Sequence, residues 1–265
     1  MKTKDIDDLI LRLDTMALNG DSDEEEATAA SQPFRFFDLP SELRLRVYEH
    51  LLIFPKTLDL DPSNTRILVP RLKLFFVNRR MHTEASHVFY SRNTFRIFAI
   101  HGRFFHTKRQ LLTRLPLCYI EHLTSLELRL GPGWTKPPTG WVVDGKLALA
   151  YAKNVRLLKI FVECDPASDP VFEGFRNKDH GDEQSFYTQF CVAILASLFE
   201  QLVELARVEF DAYPSVSRSS PLLQTLVDKT KQGGKAVLWG PERGWDKIVD
   251  VDLGGMLQKL GIGTL

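Results

Sequence analysis

The chain has 265 residues, 44% of them apolar, enough to bury a sizeable core in one large domain or two small ones. Its 34 Lys and Arg balance 34 Asp and Glu, so it lacks the positive field that non-specific binding to a phosphate backbone requires, and no nucleic-acid partner is expected. The three cysteines, Cys118, Cys164 and Cys191, form no CxxC pair, which excludes a disulfide framework and a cysteine-based zinc site.

The longest apolar runs, such as 72–77 and 191–199, fall short of the roughly 20 residues of a membrane span. Asp5, Asp7, Asp8, Arg12 and Asp14 break up the start of the chain, unlike a secretory leader. The expectation is therefore a cytoplasmic or nuclear protein without membrane contact, its cysteines reduced and mostly buried.

In chain order, Ile6, Leu9, Ile10 and Leu13 recur at helical spacing and Met16 extends the stripe, which predicts a short amphipathic helix. Leu9, Leu13, Met16 and Leu18 resemble the spacing of a leucine-rich nuclear export signal. The same letters fit a helix laid in a partner's groove or a terminal helix docked on the chain's own core. An acidic run, Asp21 to Glu26, and a stretch of small residues follow, so the remainder of 1–32 is expected to be a disordered linker. Ser22, ahead of acidic residues, resembles an acidophilic kinase site.

Composition changes sharply at Phe34. Pro40 and Glu42 suit a helix start, and Leu43, Val47 and Leu51 are expected to form its inward stripe, widened by Tyr48 and Leu52, with Arg44, Arg46 and Glu49 elsewhere. Phe54-Pro55 should end it. Thr57 to Leu60 and Arg66 to Val69 read as two short strands about the turn-rich Asp61 to Asn64, a small hairpin. From Arg71 to about Tyr90 the helical period returns through Leu74, Val77, Met81, Ala85, Val88 and Phe89, in one helix or two with a break. Thr94 to Phe98 reads as a strand.

The string Leu39-Pro40-x-Glu42-Leu43, then Val47 and Leu51, Leu74-x-x-Val77-Asn78-Arg79 and Glu84-Ala85, is similar to the F-box pattern. Phe36-Phe37-Asp38, Arg44, Tyr48 and Phe89-Tyr90-x-x-Asn93-x-Phe95 extend the resemblance toward F-box-like proteins abundant in filamentous fungi. The match covers about a quarter of the chain. The resemblance implies a helical module that links a substrate to a cullin-based ubiquitin ligase through a Skp1-type adaptor, with Leu39, Pro40, Glu42, Leu43 and Val47 at the adaptor-facing region. The 56–70 insertion and Asn78, where the pattern carries cysteine, depart from it. Read from the letters alone, Leu39, Pro40, Leu43 and Val47 are equally a helix start and its core face.

Beyond residue 100, Leu123-x-x-Leu126-x-Leu128, Val155-x-x-Leu158-x-Ile160 and Leu205-x-x-Val208-x-Phe210 match the strand portion of a leucine-rich repeat, each after a candidate helix, about 109–112, 146–152 and 186–204. Their spacing is irregular and the usual repeat asparagine is missing, so a short α/β array with a small parallel sheet is expected. Ala236 to Trp239 should add a strand, and Phe95 to Ile97 should cap the other edge. The expected fold is thus mixed α+β and α/β: a tail over 1–32, an F-box-like helical module with an inserted hairpin over 33–100, and an irregular leucine-rich-repeat-like array over 101–265 that, by the resemblance, recruits an as yet unspecified protein substrate.

Trp134 and Trp141 flank a Pro/Gly loop, either a recognition surface or anchors that hold the loop to the core. The 165–184 stretch is a second long loop. His82 and His87 superficially resemble a zinc-protease motif, but five residues turn them about 140 degrees apart on a helix, where a four-residue gap is needed. Gly233-Gly234-Lys235 lacks the spacing of a phosphate loop and reads as a turn. With no nucleophile motif either, no cofactor, metal or enzymatic activity is expected.

Overall fold

The computed structural model describes residues 34–59, 65–98, 115–131, 143, 145–168 and 186–247. The N-terminal stripe with Ser22, the acidic linker and the helix expected at 109–112 lie outside these residues. The chain divides into two units, Met1–Pro40 and Ser41–Leu265. In the first, Phe36–Asp38 make one 3₁₀ turn and the Phe36 and Phe37 rings meet edge to face at 5.6 Å.

The second unit is a mixture of helices and parallel sheet. Helix α1 (Ser41–Leu52) begins directly after Pro40, α2 (Thr65–Leu72) runs into a 3₁₀ turn over Lys73–Phe76, and α3 (Arg79–Arg92) follows. The break expected between 71 and 90 falls at Asn78, whose side chain accepts from the Met81 amide at 2.8 Å and so caps α3. Asn93 ends α3 and ties it to the end of α1: its Oδ1 accepts from the Phe54 amide, and its Nδ2 donates to the Leu52 and Phe89 carbonyls.

Five strands follow: β1 (Thr94–Arg96), β2 (Ser125–Leu130), β3 (Leu157–Val162), β4 (Arg207–Ala212) and β5 (Ala236–Trp239). All pair in parallel, in sequence order, with Phe95, Leu126, Leu158, Val208 and Val237 in register. The three expected L-x-x-L-x-L segments are thus β2, β3 and β4. The residue that opens each is buried and bonds three residues back, Leu123 to Ile120, Val155 to Ala152 and Leu205 to Leu202, at 3.1 to 3.2 Å. Each of these segments therefore has a bonded turn just upstream of the sequence motif.

Between the strands lie a short helix α4 (Leu117–Ile120), two 3₁₀ turns (Gly145–Leu147 and Leu149–Tyr151), and helices α5 (Phe186–Gln201) and α6 (Pro221–Gln232), the last two packed on each other. One face of the sheet is apolar: Leu126, Leu128, Leu130, Leu158, Ile160, Val162, Val208, Phe210 and Ala212 are all buried. The alternate residues point to the other face.

Several expectations are corrected here. No hairpin forms at 56–70: Leu58 instead exchanges two backbone bonds with β1 and extends the sheet past its expected edge, while Arg66 to Val69 lie inside α2. The strand-like letters Ile67, Leu68 and Val69 carry only a weak local preference, which burial of Leu68 overrides in favour of a helical turn. The helix expected at 146–152 is two 3₁₀ turns parted by Ala148 in the left-handed region, φ 54°. Val77, expected inward, is exposed where the chain turns into Asn78. The cysteines, expected to be mostly buried, are so: Cys164 and Cys191 are buried and Cys118 is exposed.

Candidate functional site

The first candidate surface is the outward face of α1. The inward stripe expected there is turned by one residue: Leu43, Val47 and Leu51 are 51%, 38% and 38% exposed, whereas Tyr48 and Leu52, expected to widen it, are 2% and 0% exposed, and Arg44, expected elsewhere, is 6% exposed. The cause is a polar lock. Arg44 donates from Nε and Nη2 to the two carboxylate oxygens of Glu84, both at 2.9 Å, and the Tyr48 hydroxyl donates to the same carboxylate at 3.1 Å. A buried guanidinium so satisfied fixes the rotation of the helix, and its neighbours one residue back face water. Arg44 holds the Glu84 carboxyl below its ordinary pKa, and burial, helped by Glu84, pushes the Tyr48 hydroxyl up to about 12.

Nearby elements add apolar exposure. Helix α2 packs on α1 and donates from Arg71 to the Leu51 carbonyl at 3.3 Å, while its Ile67 and Val69 stay open; Phe76, at 86%, and Val77 are open in the following turn. Of the remaining residues assigned by resemblance, Glu42 is exposed in the first turn of α1; Leu39 and Pro40 belong to the other unit, where Leu39 is half-buried and Pro40 exposed. Trp134 and Trp141 lie outside the described residues, as does most of the 165–184 loop.

The second candidate is a cleft of about 520 Å³ lined mainly by strand residues that alternate with the buried apolar ones. Its residues are the outward members of the strands: Arg96 on β1, Glu127 and Arg129 on β2, Lys159 and Phe161 on β3, Glu209 and Asp211 on β4, with Lys56 and Thr57 at one rim and Tyr213, Pro241 and Glu242 at the other. Strand register places Arg96, Glu127, Lys159 and Glu209 in one row of alternating sign. Arg96 bonds Asp59 at 3.3 Å and Glu127 at 3.0 Å, Lys159 bonds Glu209 at 3.0 Å, and Thr57 donates to Glu127. Arg129 pairs with Glu163, donates to the Tyr213 hydroxyl and lies 4.6 Å over the Phe161 ring.

Asp211 forms the far wall. Its carboxylate accepts from the amides of Ala212, Glu242 and Arg243 at 2.8 to 2.9 Å, which shapes the turn that carries Glu242. A Cβ on Gly240 would stand 2.3 Å from Asp211 Oδ2, so only glycine lets the turn approach this closely. Sequence reasoning missed this cleft; the sole signal is that outward letters on consecutive strands alternate in charge.

His82 bonds the Phe75 carbonyl at 2.9 Å and the Tyr119 hydroxyl at 2.7 Å, and His87 faces the His122 ring, so the two histidines serve different contacts. Among the described residues no cluster of three metal-ligating side chains occurs, and no helix is long and apolar enough to cross a membrane. Gly233-Gly234 makes the expected turn before β5, with Gly234 at φ 66°. Compared with known proteins, the chain matches no family model, no curated protein and no solved structure.

Proposed function

We propose that this chain is an F-box-like protein-interaction adaptor whose α1 face binds a Skp1-type protein, and whose leucine-rich-repeat-like strand array recruits a protein substrate to a cullin-based ubiquitin ligase. The observation that carries the reading is the outward stripe Leu43, Val47 and Leu51 on a helix whose inward positions are taken by Arg44, Tyr48 and Leu52. Apolar side chains held out to solvent by a satisfied buried ion pair have a large surface to bury against a partner. The resemblance assigns Leu39, Pro40, Glu42, Leu43 and Val47 to that contact. Consecutive parallel strands in sequence order support the repeat-like description of the second half.

The reading assigns no catalysis, cofactor or metal to the chain. Co-expression with a Skp1-type adaptor followed by gel filtration tests it. A stable complex eluting ahead of either protein is the expected result; separate elution of the two, at concentrations above about 10 μM, removes the ligase role. In the second case the alternative is a stand-alone interaction or scaffold protein without ligase attachment, in which the same helical module is a folding unit.

A further inference from the structure

We infer that α2 and the turn after it form a docking surface for an acidic segment of another protein, one that also carries apolar side chains. The inference goes beyond the adaptor reading and stands whether or not α1 captures a Skp1-type protein.

Charge argues for the acidity. From Pro62 to Thr83 the sequence holds Arg66, Arg71, Lys73, Arg79 and Arg80 and no aspartate or glutamate. All of these cations are exposed. Arg71 turns back on α1, over the Phe54 ring at 4.6 Å and onto the Leu51 carbonyl, and Arg80 shares Glu84 with Arg44. Arg66, Lys73 and Arg79 pair with no carboxylate among the described residues. Helix α1 supplies none: Glu49 already faces Arg92 at 3.7 Å, and Glu42 sits in the opposite turn of α1, about 14 Å along the helix from Leu51. The excess is local, since the whole chain is neutral. A second copy of the chain would bring the same cations to a two-fold contact, where they repel.

Helix geometry argues for a protein segment over a lipid surface or a nucleic acid. Leu68, buried, and Leu72, half-buried, mark the inner side of α2. At about 100 degrees per residue, Arg66 and Pro70 lie on its outermost line, with the exposed Ile67 and Val69 on the two flanks. A helix that lies among lipid headgroups and acyl chains turns its apolar residues outermost, the reverse of this order. A phosphate backbone would pair with the cations but offers nothing apolar to Ile67 and Val69, or to the exposed Phe76 and Val77 of the following turn. A peptide meets both needs. Its carboxylates reach the guanidinium groups in two-pronged pairs, and its apolar side chains cover the flanks and the Phe76 ring.

The test is fluorescence anisotropy on the full chain with a labelled peptide of glutamate interspersed with leucine, beside its lysine-for-glutamate counterpart and a single-stranded thymidine oligonucleotide. Vesicles of phosphatidylserine and phosphatidylcholine, read by co-sedimentation, complete the set. The acidic peptide should bind and the other three probes should not. Arg66→Glu combined with Lys73→Glu should weaken the acidic peptide by about fivefold or more, and Phe76→Ala by about threefold or more, with melting temperatures kept because all three positions are exposed. Lys231→Glu, at an exposed position on α6, should leave the affinity unchanged. Several results would overturn the inference: no binding of the acidic peptide, tighter binding of the lysine peptide, or a loss in Lys231→Glu equal to that in the double variant. Oligonucleotide or vesicle binding that the double variant abolishes would overturn it too. Leu43, Val47 and Leu51 are untouched in every variant, so capture through α1 is scored separately.

Discussion

Arg44 on α1 and Glu84 on α3 meet as a parallel, two-pronged ion pair, and the Tyr48 hydroxyl, one turn along α1, closes on the same carboxylate. Three groups satisfied together decide which side of α1 faces in. Glu84→Gln keeps the shape of the side chain and removes its charge, leaving the Arg44 guanidinium buried with a weaker partner, so the variant is expected to melt at a lower temperature than the parent. The pair also sets an acid limb. Glu84's folded pKa lies below the ordinary 4.5 because Arg44 bonds the ionised form; its contribution is complete above that pH and is lost as pH falls through the folded value. Acid titration followed by circular dichroism should show this limb flattened in Glu84→Gln, and parallel curves would speak against the lock.

Asn93 joins two elements through three bonds, with Phe54, Leu52 and Phe89, and is itself buried. Replacing it by alanine strands a donor and two acceptors near the core, a loss of about 2–4 kcal/mol. Urea denaturation measures it. A loss under about 0.5 kcal/mol would mean that α1 and α3 are not held together at this corner.

The strands were legible because their spacing is redundant. Leu123, Leu126 and Leu128, and the two segments like them, combine a strand period with a buried turn residue, and the pattern recurs. Helix α1 was located correctly and Tyr48 and Leu52 were rightly placed inward, but Leu43, Val47 and Leu51 were misassigned, since the expectation placed apolar letters inside, a rule that holds only one way. Arg44 belongs to the resemblance string, yet nothing in the string says that it is buried. Helix α6 escaped notice although Ser220 caps it, Pro221 opens it, and Leu222, Leu223, Leu226 and Val227 give it a buried stripe. The cleft was illegible for another reason. Its groups come from separate strands and turns, and each alone is an ordinary solvent-facing letter.

Gly240→Ala tests how the far wall of the cleft is built. The added methyl would overlap Asp211, 2.3 Å from Oδ2 and 2.6 Å from Cβ, so the turn from Pro241 to Gly244 must shift. The expected loss is about 1–3 kcal/mol in a urea melt. Unchanged stability would show that the turn does not sit against β4.

The His87 and His122 rings meet edge to face at 5.0 Å. Burial first, and then the neighbouring His87, holds the His122 pKa below its ordinary 6.5, against a smaller upward pull from Glu121. A folded value below the unfolded one means that the unfolded chain takes up the proton more readily. Stability is therefore complete above about pH 6.5 and declines as pH falls through the window beneath it. Thermal melts from about pH 7.5 to about pH 5 should show that decline, reduced in His122→Gln; the same slope in both proteins would contradict it.

The direction of α1 is the claim on which the adaptor account stands, and a matched pair of aspartate substitutions tests it most directly. Leu43 is exposed and Leu52, on the same helix, is fully buried. Each variant would be melted alone and then assayed for capture of a Skp1-type adaptor. The account predicts that Leu43→Asp keeps the parent melting temperature and loses capture, while Leu52→Asp unfolds the module. Capture undiminished in Leu43→Asp, or a melting temperature lowered as far as that of Leu52→Asp, would contradict it.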